Sequence, residues 1–206
     1  MPPLSDLVED SRLLYRYTVE RCHELIKAGA IEEGEPFELL NGRIIRSVRS
    51  VTGEDPTAVS PGHVWCVEAL EELNSRLRRL GCHMRNQKPI TIPPDNEPEP
   101  DGAIIRGRRD EYRGRHPAPQ DVICVIEVAD ASLRRDRTVK QQICADASIP
   151  VYIIVNLLDR VVEVYSQPLK GAGRYGRSET LTPGQMVELP AASGKTMRVP
   201  VRRLLP

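Results

Sequence analysis

Three residues far apart along this chain have the side chains for metal-assisted hydrolysis: Asp101, Glu127 and Lys140. Glu127 lies near the end of the most apolar run in the sequence, Val122-Ile123-Cys124-Val125-Ile126-Glu127-Val128-Ala129. That run is apolar on both alternating faces, so it reads as a central strand covered on both sides. Burying a lone ionised carboxylate there would cost several kcal/mol or more, on the order of what isolated buried polar groups cost, so Glu127 needs a partner. The nearest candidates in chemistry are Glu99-Pro100-Asp101 upstream and Lys140 downstream. Pro100 fixes its own φ and biases Glu99 towards extended geometry, so Asp101 enters the short strand Gly102 to Ile105 along a stiffened path.

Two carboxylates and an ammonium at one sheet margin point to hydrolysis of phosphodiesters with a divalent cation. A magnesium-type ion, which manganese can replace, takes oxygen ligands and usually only one or two protein carboxylates. Asp101 and Glu127 would supply them, with the backbone carbonyl of Val128 as a further ligand. Such a cation lowers the pKa of bound water and stabilises charge on phosphoryl oxygens. Lys140 would orient the attacking water or steady the transition state. A compact ammonium suits that role better than a guanidinium. Each residue also has a structural reading: Pro-Asp is a common turn dipeptide, a lone lysine on an amphipathic helix is usually a solvated flank, and Glu127 could be a buried structural ion. Jointly the three favour function.

The elements that must carry these residues are set by periodicity. Leu4 to Gly29 reads as one helix or two short ones ending at Gly29. Phe37-Glu38-Leu39-Leu40 and Arg43-Ile44-Ile45-Arg46 flank Asn41-Gly42, a hairpin signal. A Gly-, Pro- and Thr-rich loop then runs to Ser60-Pro61-Gly62. His63 to Leu80 has helical period, with Leu70, Leu73, Leu77 and Leu80 as its apolar stripe. Met84 to Ile92 reads as a strand before the proline-rich Pro93 to Pro100. Arg135 to Ser148 is helical, and Val139, Ile143 and Ala147 face the sheet. Val151 to Val155 and Val161 to Tyr165 are strands. The tail from Gly171 carries short strand-like pieces at Met186 to Leu189 and Thr196 to Val199. The fold class is α/β (α+β), a mixed central β-sheet flanked by helices. Residues 1–33 read as an N-terminal helical extension and 34–206 as the main domain, one domain overall.

Composition sets further bounds. A 206-residue chain with 40% hydrophobic and 28% charged residues is long enough to bury a core without staples. No run approaches a membrane span, and Leu4 to Lys27 is too charged for a signal peptide. Five cysteines with no CxxC pair argue against a disulfide framework and for a reducing, cytoplasmic setting. The formal net charge is zero, which argues against a broadly basic nucleic-acid-coating surface. Basic residues are nevertheless clustered: Arg106, Arg108 and Arg109 open the run to His116, and Arg134 and Arg135 open a second. Each cluster reads as a solvated loop or as a nucleic-acid contact beside the acids.

At these residues the chain resembles the PD-(D/E)XK nuclease superfamily, and within it the Uma-type restriction-endonuclease family. The likeness runs from about Phe37 to Tyr165 and is carried by Phe37-Glu38-Leu39-Leu40-Asn41-Gly42, Ser60-Pro61-Gly62-His63, Glu99-Pro100-Asp101, Val125-Ile126-Glu127-Val128 and Lys140. Ile149 to Val155 and Val161 to Tyr165 match as well. The resemblance implies an αβββαβ restriction-endonuclease-like core, with Asp101 and Glu127 as magnesium ligands and Lys140 as the catalytic lysine. It also implies Glu38 as an auxiliary acid at the site's edge and His63 as a pocket residue. The chain departs from the pattern at Ala129, where the superfamily has its strand lysine, so Lys140 would substitute from the helix. It departs again at Asp130-Ala131-Ser132, where the family has Ser-Pro-Ser, and at Asn156, where it tends to have aspartate.

Three rivals stand beside this reading. One is a fold of this kind that binds nucleic acid, DNA by the resemblance, without cutting it. Another is a zinc site from His63, Cys66, Cys82 and His83, although the last two are adjacent and would point to opposite strand faces. The third is an interaction protein whose sheet edge self-associates. A homodimer is compatible with a cutter of duplex DNA.

Overall fold

The computed structural model describes residues 14–32, 34–46 and 60–206, so the expected helix before residue 14 and most of the loop before Ser60 lie outside the described residues. Helix α1 (Val19–Lys27) begins behind Thr18, whose hydroxyl accepts the Arg21 N–H at 3.2 Å and caps the first turn. Its Val19 and Cys22 pack against Leu39 of strand β1 (Phe37–Leu40). Asn41 and Gly42 take φ values of 50° and 73°, the geometry that a two-residue turn into β2 (Arg43–Arg46) requires.

The stripe expected on a single helix is divided between α2 (Pro61–Glu72) and α3 (Asn74–Arg78). The chain tightens at Leu73, and the Asn74 side chain then accepts the Met84 N–H at 3.2 Å, fastening α3 to the neighbouring strand. Leu70, Leu73 and Leu77 remain buried across the break.

Six strands form the central sheet in the order β3 (Cys82–Arg85), β4 (Gly102–Arg106), β5 (Val122–Ala129), β6 (Val151–Asn156), β7 (Val161–Leu169) and β8 (Arg174–Leu181). Only β5 and β6 run parallel. All eight residues of β5 are buried, as its unbroken apolar pattern demands. Ile126 and Val128 meet Leu70 and Leu77 on one side, while Val125 and Ala129 meet Ile90, Ile143 and Tyr152 on the other. Glu127 lies between the first pair and so faces the second layer.

The parallel crossover from β5 to β6 is helical but not regular. Short α4 (Leu133–Arg135) leads into a π-helical turn, Asp136–Lys140, and then α5 (Gln141–Asp146). The buried Tyr152 hydroxyl donates to the Asp136 carbonyl at 2.9 Å, the kind of insertion that opens a helix locally.

Two expectations need correction. The strand expected from Met84 to Ile92 ends at Arg85; Gln87 takes φ 47°, and Pro89, Pro93 and Pro94 have no N–H to donate to a continuing ladder. Strand β8 was hidden in the polar tail, because as an edge strand it exposes nearly every residue. The two expected tail pieces are β9 (Met186–Pro190) and β10 (Thr196–Pro200), an antiparallel pair whose Val187, Leu189, Met197 and Val199 close the α2–α3 side of the core. Among the described residues no helix is long and apolar enough to cross a membrane.

Candidate active site

Strand pairing brings the three sequence-selected residues to one place. Gly102 of β4 pairs with Ile126 of β5, so Asp101 arrives beside the end of β5 that carries Glu127. Asp101 Oδ2 accepts the Val128 N–H at 2.9 Å, and His63 Nε2, from the first turn of α2, lies 3.0 Å from Asp101 Oδ1. Lys140, at the end of the π-helical turn, donates to Glu127 Oε1 at 3.1 Å. Its ammonium also lies 2.8 Å from Glu38 Oε1, which accepts the Glu99 N–H at 2.8 Å. One buried ammonium thus ties the hairpin, the central strand and the crossover helix together.

A fourth acid completes the group and was not singled out in the sequence. Asp136 is 2% exposed, accepts the Ser132 hydroxyl, and presents Oδ1 4.0 Å from Lys140 Nζ. That Oδ1 is buried without a hydrogen-bond partner among the described residues. Its position four residues before Lys140 was the available signal, masked by the arginines on either side.

Electrostatics separate the acids. Burial alone would raise Asp101, but the His63 hydrogen bond and charge, the Val128 N–H and Lys140 outweigh it and hold this carboxyl below its ordinary value. Burial lifts Glu127 well above its ordinary value; Lys140 opposes the rise, while Asp136, Asp101 and Glu38 add to it. Asp136 is raised too, by burial first. Burial would lower Lys140, yet Glu127, Glu38 and Asp136 together raise it, so the ammonium stays protonated. Glu38, Asp101, Glu127 and Asp136 therefore crowd one ammonium, and repulsion among the acids adds to the rise at Glu127.

Among the described residues no three or more His, Cys, Asp and Glu side chains are gathered to hold a metal between them. The rival zinc set is dispersed: Cys66 donates to the Leu204 carbonyl, Cys82 to that of Leu77, and His83 bonds the Gly107 carbonyl. All five cysteines are free. A magnesium-type cation asks for less, one or two carboxylates with water completing its shell. The donors here are hard oxygens, four carboxyls crowd one ammonium, and Asp136 leaves one buried oxygen without a hydrogen-bond partner among the described residues. The residues fit such a cation. The engaged group of Val128 is its N–H, on Asp101, rather than the carbonyl expected as a ligand.

The arginines divide. Arg134 is exposed and Arg135 half-buried at the start of the crossover, beside Asp136. Arg106, Arg108 and Arg109 do not reach the acids. Asp101 and Arg106 flank opposite ends of β4, about 17 Å apart at ~3.4 Å per residue. Arg106 donates to the Gln120 carbonyl at 3.3 Å and Arg108 pairs with Asp110, well away from Glu127.

A family model described as "Uma2: Putative restriction endonuclease" matches residues 19–201. Among solved structures, a putative nuclease belonging to DUF820 from Anabaena variabilis ATCC 29413 has a similar fold, with a TM-score of 0.63 at 15% identity. The superposition covers 91% of this chain and 96% of that one. No curated protein matches the sequence.

Proposed function

The chain belongs to the Uma2 restriction-endonuclease family, and from that premise we propose that it is a magnesium-dependent endonuclease that hydrolyses phosphodiester bonds of DNA. Manganese would serve in place of magnesium. The observation that carries this reading is the Lys140 ammonium bound to Glu127 and Glu38 beside Asp101, in a buried cluster of four carboxyls around one lysine.

Asp101 and Glu127 would hold the cation, with the Val128 carbonyl as a candidate third oxygen. The bound cation would acidify a water and offset charge developing on the phosphoryl oxygens. The chain's own residues do the rest. His63 orients Asp101 through its 3.0 Å contact and keeps it ionised. Glu38 fixes both the Lys140 ammonium and the Glu99 backbone, holding the hairpin against the site. An ammonium has three donors; Glu127 and Glu38 engage two, which leaves one for the attacking water or a phosphoryl oxygen. As the water oxygen bonds to phosphorus and the ester P–O bond breaks, that donor stabilises the added charge. Cutting both strands of a duplex needs two such centres, which a homodimer would supply.

Ala129 favours a second reading, a nucleic-acid-binding protein of this fold that does not cut. Incubating the protein with plasmid DNA and magnesium, then manganese, separates the two. Cleavage in the wild type, lost in Asp101→Asn and in Lys140→Met, is the expected result. Binding without cleavage under either metal would leave only the binding protein.

A further inference from the structure

An open groove of about 1690 Å³ runs along the edge strand β3, from Cys82 opposite Arg106 to Arg85 opposite Ala103. Four separate segments supply its lining: α1, the α3–β3 region, residues 88–93 and residues 107–120. Its charge is one-sided in a chain whose net charge is zero. Arg78, Arg85, Lys88, Arg109 and Arg113 line it, and none forms an ion pair among the described residues. The acids nearby are committed: Asp110 pairs with Arg108, Glu111 accepts the Arg108 N–H, Asp121 pairs with Arg115, and Glu97 holds His23 and Thr91.

A second observation is independent of the surface charge. His83 is 2% exposed and lines the groove, yet its Nε2 has no partner among the described residues. Its Nδ1–H donates to the Gly107 carbonyl at 3.0 Å, which leaves Nε2 as the open position. Arg85 Nε is likewise buried and unpartnered, while Arg85 Nη2 donates to His116 Nδ1 at 3.0 Å. Burial lowers both Arg85 and His83, and Arg109 lowers both further. The opposing pull of Glu99 on Arg85, and of the Gly107 carbonyl and Glu111 on His83, does not offset this crowding.

We propose that this groove binds the phosphodiester backbone of a nucleic-acid strand. The inference rests on the nuclease reading and says where substrate backbone lies outside the acidic site. The unpartnered Arg85 Nε–H would donate to a phosphate oxygen, His83 Nε2 would accept from a water bound beside it, and Lys88, Arg109 and Arg113 would contact the neighbouring phosphates. A single small anion fits poorly, because the cations extend past both ends of β3, four residues or about 13 Å long. The Tyr112 ring already carries the Arg115 guanidinium at 4.8 Å and has His83 at 5.7 Å. The groove therefore offers charge rather than a platform for bases, and binding should not depend on sequence.

The test is fluorescence anisotropy of mixed-sequence DNA oligonucleotides, single-stranded and duplex, with the full chain in EDTA across a range of salt. Lys88, Arg109 and Arg113 are exposed, so their replacement leaves the core intact. Lys88→Glu and the double variant Arg109→Glu/Arg113→Glu should weaken binding about tenfold or more. The slope of log K against log salt should shrink by about 0.7 to 0.9 for each phosphate contact removed. Arg202→Glu, exposed and outside the groove lining, should bind as the wild type does. Variants with wild-type affinity and slope would overturn the proposal, as would tight binding of inorganic phosphate alone with none of oligonucleotides. Groove-dependent binding without cleavage under any metal sinks the nuclease reading alone; cleavage with indifferent groove variants sinks the groove alone.

Discussion

The Lys140 ammonium lies 3.1 Å from Glu127 Oε1, and both side chains are almost wholly buried. Truncating one member of such a pair strands the other in a low-dielectric interior. Lys140→Met should therefore cost about 3–5 kcal/mol of stability, measured by urea unfolding at neutral pH. Glu127→Gln should cost less, because Glu38 still holds the ammonium at 2.8 Å. Adding Glu127→Gln to Lys140→Met should recover part of the loss. A cost under about 1 kcal/mol for Lys140→Met would show that the cluster does not need its cation.

His63 Nε2 lies 3.0 Å from Asp101 Oδ1, and its hydrogen bond is the strongest of the interactions that oppose burial at that carboxyl. His63→Ala should let the Asp101 carboxyl rise and turn, weakening cation binding or cleavage about 10- to 100-fold. Titrating magnesium against the cleavage rate, or against the thermal midpoint, reads the effect. An unchanged magnesium dependence would remove His63 from the site.

The central strand and the meeting of Asp101, Glu127 and Lys140 were legible because burial leaves a one-dimensional trace. An apolar run interrupted by one carboxylate demands a partner, and few partners exist. Glu38 and His63 came only through family resemblance; nothing local in Phe37-Glu38-Leu39-Leu40 announces that Glu38 turns inward. Asp136 escaped because the arginines beside it hid its spacing to Lys140, and the π-helical turn with the Tyr152 hydroxyl on the Asp136 carbonyl is a tertiary feature that the sequence does not mark. The arginines of 106–109 were misplaced for a related reason. Sequence proximity to Asp101 says nothing of the strand that carries them to the far end of the sheet.

Glu163 gives a pH dependence free of the active cluster. Burial would raise its carboxyl, but hydrogen bonds from Arg137 at 2.6 and 3.0 Å, from Tyr165 and from Asn156 hold it below its ordinary 4.5. A depressed folded value means that the carboxylate stabilises the fold fully above pH 4.5 and that this stabilisation is lost as pH falls through the lower, folded value. Glu163→Gln should lose about 1–2 kcal/mol at neutral pH, the lower end applying because Arg137 is 42% exposed. The gap between wild type and variant should close in acid. Urea midpoints of both proteins taken from neutral pH down through this window check it, and a gap constant with pH would refute the assignment.

Gly102 couples the core to Asp101, the residue before it. A Cβ added there would stand 2.9 Å from Leu70 Cδ1, and Leu70 is fully buried against β5. Either Leu70 or the start of β4 must move, at a cost of about 1–3 kcal/mol. Movement of β4 carries Asp101 away from the Val128 N–H, so Gly102→Ala should slow cleavage as well as destabilise. Leu70→Ala alone opens a cavity and should cost about 2–5 kcal/mol. In the double variant the new methyl enters the space that Leu70 vacates. The two losses should then fall short of additive by at least about 0.5 kcal/mol, with cleavage partly restored. Strict additivity, or a Gly102→Ala protein that cuts like the wild type, would show that the strand start is not what positions Asp101.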